Sequence, residues 1–193
     1  MLNNFKQYNF ILGSNSPRRS EILKEIGLDF KIIASNIDET IPKGIKNKNV
    51  PIFLAKEKAS FLAKGLNENE ILITADTIVL MNNEILTKPL NKKDAKNILQ
   101  KISNNKHEVI TGVCITSNKN QHSFSSKTEV FFNKISDYEI EYYLEKFKPY
   151  DKAGSYGIQE WLGLISIRKI IGSYTNVVGM PSSELYQELN KFI

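Results

Sequence analysis

The chain has 193 residues, 41% hydrophobic and 24% charged, an ordinary globular balance that excludes a mostly disordered chain. Its formal charge of +5 comes largely from scattered lysines; with no polybasic arm or aromatic-interleaved basic patch, general nucleic-acid binding is not expected. Cys114 is the only cysteine, no apolar run approaches about 20 residues, and the N-terminus lacks a signal-like pattern, so a cytoplasmic protein without disulfides or membrane association is expected.

In chain order, apolar runs of strand length alternate with helical patterns, which predicts an α/β fold around a largely buried sheet. Residues 1 to 9 read as an extension, and Phe10 to Leu12 as a short first strand. That strand feeds "GSNSPRRSEIL", where Ser16 suits a helix N-cap, Pro17 the first helical position, Ile22, Leu23 and Ile26 an apolar stripe, and Gly27 the stop. The positive end of a helix dipole favours Asp or Glu in the first turn by about 0.3 to 1 kcal/mol, yet this turn carries Arg18 and Arg19. A bound anion is the expected counterpart. Gly13 and Ser14 form a strand-to-helix turn, Ser14 and Ser16 offer hydroxyls, the first helical amides point outward, and the arginines add forked donors suited to phosphate.

Phe30 to Ala34 reads as a second strand, followed by the polar loop "SNIDETIPKGIKNKNV". Within it, Glu39 is either a hard oxygen ligand for Mg²⁺ or Mn²⁺ or a solvated glutamate beside Asp38. A helix is predicted from about Pro51 to Lys64. At about 100° per residue Leu54, Lys58, Phe61 and Leu62 share one arc, which turns Lys58 towards the protein or along its edge, where a snorkelling lysine would also sit.

The run "ILITADTIVL" is a strong buried strand interrupted by Asp76. A carboxylate in such a strand costs several kcal/mol unless cations or donors hold it, so Asp76 is either a functional group or the mark of a strand end or bulge. Thr77 points to the other side of a regular strand. Lys88, before Pro89, places a compact positive charge in a turn. Asn91 and Asp94 resemble a capping box for a helix with Ala95, Ile98, Leu99 and Ile102 on one side. Then come strand-like stretches at Glu108 to Thr116 and Thr128 to Phe132, a helix from Asp137 to about Lys146, a glycine-containing loop, a strand around Leu164 to Ile171, and a last helix from near Pro181. His107 and His122 form no ligand cluster, Cys114 reads as a small core residue, and no P-loop or GxGxxG fingerprint is present, so the common nucleotide folds and Cys/His or Ser/His/Asp hydrolysis have little support.

Seven segments, "SNSPRRSEIL", "DET", "LAKEKA", "ADTIV", "KPL", "DKAGSYGIQ" and "GSYTNVVGMP", together resemble the Maf family of nucleoside triphosphate pyrophosphatases and run in that family's order over nearly the whole chain. The resemblance implies one domain over residues 1–193, similar in fold to inosine triphosphate pyrophosphatases: a two-lobed, mixed twisted sheet flanked by helices, with a central cleft. It also implies cleavage between the α and β phosphates of a nucleotide, with Mg²⁺ or Mn²⁺ as cofactor. By position, Asp76 matches the family's general base, as base, metal ligand or both, and Ser14, Arg18, Arg19, Glu39, Lys58 and Lys88 match its phosphate and metal site.

Arg18, Thr77 and Gln159 match the branch whose members resemble dTTP and UTP pyrophosphatases, and modified pyrimidine nucleotides are further expected substrates. The Gln159 amide both donates and accepts, as the imide edge of thymine and uracil requires, and Gly154 and Gly157 permit close backbone approach. Outside that context Gln159 is an exposed polar loop residue. Two departures stand out. Gly13 replaces a frequent alanine, expected to be harmless, and Glu160 and Trp161 replace frequent glycine, expected to tighten the pocket rim. A homodimer is expected on the resemblance alone. The rival readings are a pyrophosphatase of the same fold for another base, such as 7-methyl-GTP, and a non-catalytic module binding nucleotide or a division protein.

Overall fold

Strand and helix patterns alternate in the computed structural model, which describes residues 5–34, 37 and 40–193, much as the sequence predicts. The first elements are β1 (Asn9–Leu12), α1 (Pro17–Glu25), β2 (Phe30–Ile32), α2 (Val50–Leu62) and β3 (Glu70–Met81). β4 (Glu84–Leu86), α3 (Lys92–Ile102), β5 (Lys106–Thr116), β6 (Gln121–Phe132) and α4 (Asp137–Phe147) follow. The chain ends with α5 (Trp161–Ser166), β7 (Ile167–Ile171), α6 (Tyr174–Val178) and α7 (Ser182–Phe192). The strands form a mixed sheet in the order β2-β1-β3-β5-β6-β7, with β4 also paired to β3. Among the described residues no helix is long and apolar enough to cross a membrane.

The chain divides into two compact units. The first comprises Met1–Asp76, Thr111–Ser126 and Gly179–Ile193. In it β1 runs parallel to β2 and β3, with Leu12 opposite both Ile32 and Ile73, and Ile11, Ala55, Ala59, Leu72 and Cys114 form a buried cluster. Of the residues read as an extension, Phe5 is buried against Phe10 and Tyr186, and Asn9 opens β1.

The second unit comprises Thr77–Ile110 and Lys127–Val178. Its core joins Ile98, Leu99 and Ile102 of α3, Ile140, Tyr143 and Leu144 of α4, and Val130 and Phe132 of β6. Asn91 caps α3 through the Asp94 N–H, whereas the Asp94 carboxylate accepts from Leu90 rather than from the cap residue. Ser136 and Glu139 form a complete capping box on α4.

Four segments differ from the sequence reading. β4 makes an unpredicted hairpin, whose two-residue turn holds Asn82 at φ +49° and Asn83 at φ +63°, the left-handed pair that asparagine tolerates. β6 starts seven residues earlier than expected, because "QHSFSSK" carries too few apolar residues to signal a strand. Leu164 to Ser166 are helical: Leu162, Gly163 and Ser166 are buried while Leu164 is 75% exposed, a helical rather than an alternating pattern. α6 was also missed. It is anchored by a fully buried Asn176, whose amide donates to Val109 O at 3.1 Å and Thr128 Oγ1 at 2.9 Å.

Candidate active site

Lys58 and Asp76 meet inside the first unit. β3 continues through Asp76 without ending, so neither a strand terminus nor open water accounts for the carboxylate. Lys58 Nζ lies 2.7 Å from Asp76 Oδ1, and the two side chains are only 8% and 13% exposed. The ion pair meets the requirement that a charge in a buried strand have a partner. It engages Oδ1 and leaves Oδ2 outside the pair.

Two contacts place the helix that carries Lys58. Two residues before Asp76 on the same strand face, Thr74 is fully buried and donates to Ala55 O on α2 at 2.7 Å. Opposite the start of α2 lies Gly112 of β5, where an added Cβ would come within 2.3 Å of Ile52 N and 2.4 Å of Pro51 C. Only a glycine admits the helix backbone this close. The predicted arc is correct for Leu54 and Lys58, which are buried, whereas Phe61, in the last turn of α2, is 53% exposed.

The turn before α1 is tied to the same strand. Ser16 occupies the N-cap position in extended conformation, but its side chain makes no cap hydrogen bond. Instead Ser14 Oγ, on a buried residue, accepts from Ser16 N at 3.2 Å and from Arg19 Nη1 at 3.2 Å. Arg19 also donates through Nη1 to Ala75 O at 2.8 Å and through Nε to Gly179 O at 2.9 Å. Arg19 therefore braces the Ser14 turn against the residue preceding Asp76. Arg18, beside it in the first turn, is half-buried. At Gly13 a Cβ would fall 2.6 Å from Thr74 Cγ2 and 2.7 Å from Leu62 Cδ1, so these side chains pack into the space that the family's frequent alanine would need.

The remaining predicted residues belong to the second unit. Thr77 is half-buried directly after Asp76, and Lys88 is exposed after β4. Gln159 is exposed and makes no hydrogen bond among the described residues. Glycines 154 and 157 serve the protein's own packing: Gly154, at φ +73°, faces Val79, and a Cβ on Gly157 would lie 2.7 Å from Glu160 Cδ. Glu160 turns back from the expected rim to Lys152 and the Tyr143 hydroxyl, and Trp161 packs edge-on against Tyr142. Glu39, the predicted metal ligand, lies outside the described residues; among those residues no group of three His, Cys, Asp or Glu could hold a metal.

Residues 9–192 match the family model described as Maf-like protein. The chain belongs to the Maf-like family. Its Maf-like sequence is 48% identical over 192 residues to a protein of Phocaeicola vulgatus named dTTP/UTP pyrophosphatase, covering 99% of this chain and 100% of that one. A protein of the same name from Parabacteroides distasonis is 46% identical over 193 residues, with full coverage of both. The solved structure of the Staphylococcus aureus Ham1 protein aligns at 12% identity and a TM-score of 0.43, covering 64% of this chain and 71% of that one.

Several supports of this Maf-like site were not singled out from sequence. Gly112, alone within a strand pattern, carried a usable signal of close backbone approach. Thr74 and the carbonyls of Ala75 and Gly179 carried none, since backbone acceptors and a threonine in a β-rich run have no distinctive spacing.

Proposed function

We propose that the protein hydrolyses dTTP and UTP to the nucleoside monophosphate and pyrophosphate, with Asp76 as the general base. The buried Lys58–Asp76 pair carries this reading: it holds an ionised carboxylate in mid-strand while leaving Oδ2 outside the ion pair. The names of the full-length relatives support the same activity and substrates.

Asp76 accepts a proton from water as the water oxygen bonds to the α phosphorus. The bond from that phosphorus to the bridging oxygen breaks, and the electron pair leaves with pyrophosphate. Lys58 fixes the carboxylate's orientation, so little reorganisation is needed as the proton moves. Arg18, Lys88 and the amides opening α1 bind the phosphate chain, while Arg19 shapes that turn through Ser14 and the carbonyls of Ala75 and Gly179. Gln159 reads the imide edge of the pyrimidine, with Thr77 contributing to the choice of base.

The single carboxylate of Asp76 suits Mg²⁺ or Mn²⁺, which take one or two carboxylates and complete their shell with phosphate oxygens; Glu39 is the second candidate. When bound, such a cation neutralises phosphate charge and polarises the phosphoryl oxygens. Incubating the protein with each common nucleoside triphosphate and 7-methyl-GTP, with Mg²⁺ or Mn²⁺, and resolving the products tests the reading. Equal amounts of monophosphate and pyrophosphate from dTTP and UTP are expected. Turnover of 7-methyl-GTP alone, or of none, would refute it.

A further inference from the structure

Glu160 closes the loop that carries Gln159, and protein groups engage both of its carboxylate oxygens. Oε1 lies 3.0 Å from Lys152 Nζ, and Oε2 accepts from the Tyr143 hydroxyl. The Tyr143 oxygen accepts in turn from the Gly157 N–H at 3.0 Å, and the Glu160 N–H donates to Gly157 O at 3.1 Å. Tyr143 is fully buried on α4 and stacks on Phe147 with ring centres 5.1 Å apart. One rigid residue thus ties down both the middle and the end of the loop. Two residues before Gly157, Ser155, buried and held at φ +60°, adopts a conformation that residues with a side chain seldom keep unless their surroundings enforce it.

We propose that Glu160 is a positioning residue for base selection: by bridging Lys152 and Tyr143, its carboxylate pins residues 152–160 so that the adjacent Gln159 reaches the pyrimidine edge from a fixed backbone position. This role rests on the reading of Gln159 given above. The Gln159 side chain is exposed, so the reach of its amide depends on where the backbone that carries it is held. A backbone fixed before binding removes an ordering cost that substrate binding would otherwise bear. Because both oxygens of Glu160 are engaged within the protein, its effect falls on recognition rather than on proton transfer.

The test compares wild type with Glu160→Gln, Tyr143→Phe, Gln159→Ala and the Gln159→Ala/Glu160→Gln double variant. Steady-state pyrophosphate release gives kcat and KM for dTTP and UTP, and mass spectrometry follows amide exchange. Tyr143→Phe removes only a hydroxyl and guards against a misfolded Glu160 variant. Glu160→Gln and Tyr143→Phe are expected to raise KM about tenfold, with kcat changed less than about threefold, and to speed exchange at Gly157. Glu160→Gln is expected to add nothing to the KM of Gln159→Ala, since both act through one contact. Unchanged loop exchange and KM in Glu160→Gln and Tyr143→Phe, with Gln159→Ala still impaired, would overturn the clamp and spare the base reading. Full multiplication of the two KM effects would also overturn it. Wild-type KM in Gln159→Ala for every nucleotide would instead refute the base reading and, with it, this role for Glu160.

Discussion

Each unit holds a shielded lysine–carboxylate pair, and the two differ in what the second carboxylate oxygen does. In the second unit Glu160 has Lys152 on one oxygen and Tyr143 on the other, so both oxygens are engaged by its own fold. In the first unit Lys58 holds Oδ1 of Asp76, and Oδ2 stands outside the pair. Burial and pairing alone therefore do not mark a reactive group. The distinction lies in whether the fold engages both carboxylate oxygens, and by that criterion Asp76 can take a proton or a cation while Glu160 acts as a brace.

The largest expected effect separates the pairs by kinetic parameter. Asp76→Asn preserves shape but abolishes the base, and kcat for dTTP should fall about 10²- to 10⁴-fold while the melting transition stays cooperative. A comparable fall in kcat for Glu160→Gln would erase the contrast.

Acid should act on the second unit first. His107 is 2% exposed, with Nε2 2.8 Å from the Tyr156 hydroxyl, and burial lowers its pKa from 6.5 to about 4. The unfolded chain therefore binds the extra proton more readily, and stability present above pH 6.5 declines as pH falls towards 4. The full shift corresponds to a loss of about 3 kcal/mol. Urea midpoints across this range, with amide exchange resolving the units, should show the segments around His107 opening first, and His107→Gln should flatten the dependence.

A smaller effect is expected for substitutions that disturb the seat of Lys58. Gly112→Ala forces a methyl against the Ile52 and Pro51 backbone and should cost about 1–3 kcal/mol in denaturant titrations, with activity falling as α2 shifts. Gly13→Ala meets only side-chain ends and should cost less. The smallest effect is expected at the surface of the second unit, where Lys92 and Lys96 lower the Glu141 pKa to about 2. These groups are at least one-third open to water and screened by salt, so Glu141→Gln should leave the thermal midpoint within about a degree at physiological ionic strength.

Legibility in the sequence followed the same physical divide. Asp76 was conspicuous because a charge in an apolar run violates burial, and Lys58 because helical spacing turned it inward; that the two meet at 2.7 Å is a finding of the structure. Arg19 was legible as an unusual cation at a helix start, but not as a donor to Ala75 and Gly179, because those acceptors are backbone atoms common to every residue. Asn82 and Asn83 hid a hairpin since the pair lacks the glycine that usually marks one, and Leu164 and Ile165 imitated a strand because their exposure breaks the burial rule on which that reading depends.

Hydrolysis of dTTP in ¹⁸O-labelled water tests Asp76-assisted attack at the α phosphorus most directly. The label should appear in the monophosphate and not in pyrophosphate, and its incorporation should slow in Asp76→Asn in step with kcat. Label in pyrophosphate or inorganic phosphate, or an undiminished rate in Asp76→Asn, would contradict the account.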